Sequence, residues 1–93
     1  MSYGFDVRNL LRKLLLNYRG YFSNDVLNSE GRKVFEEMAR MLIHEHPEHK
    51  PIIQKARRNP SLKNILKIAR IVLDEDIEDI IKQVDDEPYT YYY

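Results

Sequence analysis

Residues 6–20 read DVRNLLRKLLLNYRG, and their spacing decides the fold. Val7, Leu10, Leu11, Leu14, Leu15 and Tyr18 recur at steps of three and four, which gathers them on one side of an α-helix. Arg8, Arg12, Lys13 and Arg19 fall between them, so the opposite face is basic. Asp6 offers an N-cap acceptor, and Gly20, just past the last apolar position, suits a left-handed stop.

Outward from this helix the chain punctuates itself. Ser23, Asn24, Asp25 and Asn28 can bond their own backbone, so residues 21–28 read as a connection, with Tyr21, Phe22, Val26 and Leu27 tucked on the core. A second helix is expected from Ser29, burying Val34, Phe35, Met38, Ala39, Met41 and Leu42, supported outside by a Glu36–Arg40 pair and stopped near His46 by Pro47. Pro51 sits in the first turn of a short third helix carrying Ile52, Ile53 and Ala56, which Asn59 and Pro60 end. The same Asn59-Pro60 pair fits N-cap and N1 of a following helix, leaving a turn of about two residues. From Ser61, the apolar residues Leu62, Ile65, Leu66, Ala69, Val72, Leu73, Ile77, Ile80, Ile81 and Val84 keep helical spacing through Asp74. One long helix and two shorter ones both fit, and a break at Asp74 is favoured because Asp caps well and sits poorly in a helix interior. No strand alternation is seen outside the tyrosine-rich end, and no internal repeat. The fold expected is all-α: a small helical bundle of four to five helices in a single domain, residues 1–84, followed by a flexible acidic, tyrosine-rich tail, residues 85–93.

Composition fits that reading. With 93 residues there is enough chain for one core, and 43% hydrophobic residues supply it. The absence of cysteine excludes disulfides, thiolate metal sites and thiol nucleophiles. The opening MSYGFDVRN shows no basic n-region followed by an apolar run, and no stretch nears the roughly 18 apolar residues of a membrane span, so a cytoplasmic protein is expected. Abundant Lys, Arg, Glu and Ile with few Gly suit a thermophile, in which charge networks gain value.

Charge is balanced at a formal net of +0, yet it is polarised along the chain. Residues 50–70 hold Lys50, Lys55, Arg57, Arg58, Lys63, Lys67 and Arg70 with no acid, while residues 74–87 hold eight acids against Lys82 alone. Lys63, Lys67 and Arg70 share a helical stripe near a helix N-terminus whose backbone donors would favour a phosphate. Lys55, Arg57, Arg58, Lys63, Lys67 and Arg70 are therefore the candidate nucleic-acid-binding residues, against the plainer reading of an ordinary solvated face. As a helix-turn-helix the segment is disfavoured by its two-residue turn, since three to four are usual. At the far end, Tyr89, Tyr91, Tyr92 and Tyr93 are candidate partner-binding residues, because tyrosine brings large area at low rotamer cost, and Asp85, Asp86 and Glu87 would steer them to a basic partner. A homo-oligomer is also open.

All three histidines lie in His44-Glu45-His46-Pro47-Glu48-His49. Neither H-E-x-x-H nor H-x-x-E-H is satisfied, and Pro47 interrupts the helix, so no metal ligand is assigned; histidines near a helix C-terminus are explained by its dipole, with a metal or pH-responsive contact as the alternative. The serines lack a nucleophile-elbow context and the glycines form no phosphate loop, so catalytic residues and cofactors are expected to be none, and the chain is read as no enzyme.

In size, cysteine-free composition and helical, charge-polarised design, the chain resembles small accessory proteins of crenarchaea, among them the helical subunit of their family B replicative DNA polymerase, and also small proteins of their viruses. The resemblance implies a non-enzymatic accessory subunit that docks on a larger nucleic-acid-processing assembly, such as a polymerase holoenzyme in DNA replication. The alternative from the residues themselves is a small helix-turn-helix-type DNA-binding protein using the basic 50–70 segment.

Overall fold

Three prolines and a few short polar side chains decide where the helices begin and end, and apolar spacing decides how they pack. In the computed structural model, which describes residues 3–74, 77–80 and 82, the elements run α1 (Phe5–Leu16), α2 (Tyr18–Tyr21), β1 (Phe22–Ser23), β2 (Val26–Leu27), α3 (Ser29–Glu45), a 3-10 turn η1 (Pro47–His49), α4 (Lys50–Arg58) and α5 (Leu62–Leu73). Residues 77–80 are helical as well. The architecture is mostly helical, and no described helix is long and apolar enough to cross a membrane. The expected domain end at residue 84 and the tail 85–93 lie outside the described residues.

α1 begins two residues earlier than expected. Gly4, not Asp6, is its N-cap, and Asp6 sits in the first turn, where its charge faces the positive end of the helix dipole. Its end also differs: Asn17 stops it, because the Asn17 backbone N–H and side-chain Nδ2 both donate to the Lys13 carbonyl, at 3.1 and 3.0 Å. Gly20 is therefore inside α2 and needs no left-handed conformation.

The connection expected at residues 21–28 contains an antiparallel hairpin, pairing Phe22 with Leu27 and Ser23 with Val26. Asn24 and Asp25 turn it with φ of 53° and 64°, the left-handed region that these side chains tolerate, as a two-residue type I′ hairpin turn requires. Tyr18 stacks on Phe22 with ring centroids 5.0 Å apart and donates its hydroxyl to Asp25 Oδ1, fastening the hairpin to α2. Asn28 then starts α3. Its Oδ1 accepts from Gly31 N–H at 2.8 Å and its Nδ2 donates to the Gly20 carbonyl at 2.9 Å. Gly31 is required there, because a Cβ would overlap the Tyr21 carbonyl oxygen and approach Leu27 Cδ2 to 2.8 Å.

The core follows the predicted helical stripes, with Ile68 joining that of α5, but Val26, expected on the core, is 37% exposed because its position in the two-residue strand points away from it. Leu11, Leu14 and Leu15 of α1 face Phe35, Met38 and Leu42 of α3, its main partner, and all are at most 2% exposed. Ile53 and Ala56 of α4, and Ile65, Ile68, Ala69 and Val72 of α5, close the other side. Each fully buried leucine or phenylalanine removes apolar surface worth about 1.5–3 kcal/mol from water. At Asp74 the chain takes φ 50° and ψ −112°, which breaks the α5 helix as favoured, and the Asp74 carbonyl accepts from Ile77 N–H at 3.1 Å to restart helical turns.

Candidate nucleic-acid interface

α4 ends because its C-cap residue, Asn59, leaves the helical region at φ −136° and ψ 83°, with its N–H still on the Lys55 carbonyl at 3.0 Å. α5 begins at Leu62 with Ser61 as N-cap, its hydroxyl oxygen accepting from Asn64 N–H at 3.3 Å. This corrects the expected assignment of Asn59 as cap and Pro60 as first helical residue. The reason is that the Asn59 carbonyl is held twice, by Ser61 N–H at 2.8 Å and by the Asn64 side chain at 2.8 Å, which turns the chain away before Pro60 can start a helix. The turn between α4 and α5 is thus three residues, Asn59-Pro60-Ser61, and not two.

The hairpin holds that turn from outside. Leu27 N–H donates to the Pro60 carbonyl at 2.9 Å, Leu62 N–H donates to the Asp25 carbonyl at 2.7 Å, and Val26 bridges Ser61. Asn64, 6% exposed and the buried polar side chain of the described residues, holds it from inside. The phosphate seat expected at the N-terminus of α5 is narrowed as a result, because Leu62 N–H is committed to Asp25 and Asn64 N–H to Ser61.

Charge is presented instead by side chains. Lys63, Lys67 and Arg70 are exposed and fall within about 60° of arc at 100° per residue, opposite the buried Ile65, Ile68 and Val72. Ile71, 37% exposed, borders the same stripe. On α4, Lys50, Lys55, Arg57 and Arg58 are exposed, and Gln54, Arg57 and Arg58 line an open cleft of about 250 Å3. Among the described residues, no ion pair engages Lys50, Lys55, Arg58, Lys63, Lys67 or Arg70. Arg57 differs. Its Nε and a terminal nitrogen donate to both oxygens of Glu36, each at 2.9 Å, so it serves as a strut between α4 and α3, and Glu36 turns to α4 in place of the Glu36–Arg40 pair expected along its own helix. The four candidate tyrosines 89, 91, 92 and 93 lie outside the described residues.

A second cluster forms where α3 gives way to α4. Tyr3 lies over His46 and His49, with ring centroids 4.4 and 5.7 Å away, and its hydroxyl is 2.8 Å from His49 Nε2. The Glu48 carboxylate is 3.2 Å from His46 Nδ1. A backbone N–H holds the Glu48 carboxyl below its ordinary pKa, helped by the neighbouring imidazoles, whereas burial and then the Glu48 charge push the Tyr3 phenol up. His44 is exposed on α3 and has no part in the cluster. Continuous-helix motifs do not describe this group, because a 3-10 turn with three residues per turn is what brings His46 and His49 to one side.

No protein-family model matches the chain, and neither a curated protein nor a solved structure matches it.

Proposed function

We propose that this chain binds nucleic acid through the α4–turn–α5 unit, as a small helix-turn-helix-type protein without catalysis of its own. The observation that carries the reading is the three-residue turn, braced by the hairpin and Asn64, between two helices whose exposed sides hold six cations outside any ion pair among the described residues. Three residues is a usual helix-turn-helix connection. Lysines and arginines on such a unit act chiefly on phosphates, so the expected binding is strong in its electrostatic part and modest in sequence preference.

The test is fluorescence anisotropy with a labelled duplex across salt concentrations. If Lys55, Arg58, Lys63, Lys67 and Arg70 each neutralise one phosphate, the slope of log K against log salt is about −4.5, or about 500-fold in affinity between 50 and 200 mM. Lys63→Glu with Lys67→Glu should reduce the slope by about 1.8. No binding at 50 mM salt, or a slope that the double variant leaves unchanged, would refute the reading.

A second reading, an accessory subunit docked on a nucleic-acid-processing assembly such as a DNA polymerase, is favoured by the sequence of residues 85–93, where three acids precede four tyrosines. The two are compatible, with the tail holding protein and the α4–α5 unit holding DNA. Deleting residues 88–93 should then release the protein partner and leave the DNA slope intact.

A further inference from the structure

From the geometry of the α3–α4 junction we infer that His46, Glu48 and His49 form a binding site for one divalent transition-metal ion of the zinc class. One ligand atom from each of the three side chains lies within 4.8 Å of the other two. Ligand atoms of a tetrahedral ion with bonds of 2.0–2.1 Å stand about 3.4 Å apart, so the longest separation must contract by about 1.4 Å. Glu48 can supply that movement, because its side chain is 64% exposed, while His46, 15% exposed, is the fixed member.

The backbone prearranges the set. His46 is the C-cap of α3, Pro47 opens η1, and His49 N–H donates to the His46 carbonyl at 3.0 Å, closing the turn that brings the two imidazoles together. Their ring centroids are 5.8 Å apart. Tyr3 covers both rings, and its hydroxyl at His49 Nε2 fixes that ring in the manner of the partners that orient metal-bound histidines. Glu45 holds the same N-terminal segment by accepting from Gly4 N–H at 3.1 Å, so the cover is fastened beside the site.

The donor set chooses the ion. Two imidazole nitrogens and one carboxylate suit Zn2+, Co2+, Ni2+ or Cu2+, and they offer too few oxygens for Ca2+ or Mg2+. Three protein ligands leave a coordination position for water.

The experiment is calorimetric titration of tag-free full-length protein with Zn2+ at pH 7.5, with nitrogen NMR of the histidine rings alongside. The expected result is saturable one-to-one binding, with His46 and His49 ring signals shifting and His44 unmoved. His46→Ala and His49→Ala should each weaken binding by more than about tenfold, since loss of an orienting partner alone costs 10–100-fold. His44→Ala should leave it unchanged. The inference is overturned if wild-type protein shows no saturable uptake, if uptake survives replacement of both His46 and His49, or if His44→Ala removes it equally. The NMR arm on wild-type protein decides the matter even where a variant does not fold.

Discussion

Replacing Asn28 by alanine tests how the hairpin and α3 are joined. Asn28 Oδ1 caps α3 through Gly31 N–H, and Nδ2 reaches back to the Gly20 carbonyl at the end of α2. Loss of an N-cap acceptor costs about 1 kcal/mol, within a range of 0.5–2. The second bond lies at the surface, where water replaces it in part, so it adds about 0.5–1 kcal/mol. Asn28→Ala is therefore expected to destabilise by about 1.5–2 kcal/mol, which at 4–8 °C per kcal/mol for a chain of this size lowers Tm by about 6–16 °C. Asn28→Asp separates the two roles: it keeps the capping oxygen, adds a charge that the helix N-terminus favours, and loses only the donor, so it should cost about 0.5–1 kcal/mol. Thermal and urea unfolding followed by helical circular dichroism measure both. An alanine variant within about 0.5 kcal/mol of wild type, or an aspartate variant as damaging as alanine, would show that the cap does not hold this junction.

Three further outcomes follow from the packing and charges. Leu14→Ala, at a site with 0% exposure between α1 and α3, should cost about 2–5 kcal/mol in the same unfolding assay. Glu36→Gln should cost at most about 1 kcal/mol and lose its effect in high salt, because both partners of the Arg57 pair are more than a third open to water. The Glu48 carboxyl titrates lower in the fold than its ordinary 4.5, so the unfolded chain binds more protons in that window; its contribution is present above pH 4.5 and is lost as pH falls through the folded value, and Glu48→Gln should flatten the acid side of a Tm–pH profile.

Helices were legible because apolar residues three and four apart admit one period, and the stripes read from Val7 to Leu15 and from Phe35 to Leu42 are the ones buried. Boundaries were less so, since capping is a competition. Asn17 outbids Gly20 by placing two donors on one carbonyl, and Ser61 caps α5 because the Asn59 carbonyl is already taken. The hairpin escaped because two-residue strands are too short to alternate; its trace was Asn24-Asp25, two adjacent residues tolerant of positive φ. Of the candidate interface, the identity of the cations was legible and their setting was not. Nothing local to Arg57 announces Glu36, 21 positions earlier. The commitment of Leu62 N–H to Asp25 likewise depends on a contact made only in three dimensions.

That last contact also sets an order of events in time. The bonds from Leu27 to Pro60 and from Leu62 to Asp25 join positions 33 and 37 apart, and closing a loop of that length costs about 3 kcal/mol of chain entropy before anything is gained. Helical turns and the hairpin, being local, form sooner. Weakening the clasp is therefore expected to speed unfolding more than it slows folding, as unfolding and refolding kinetics would show.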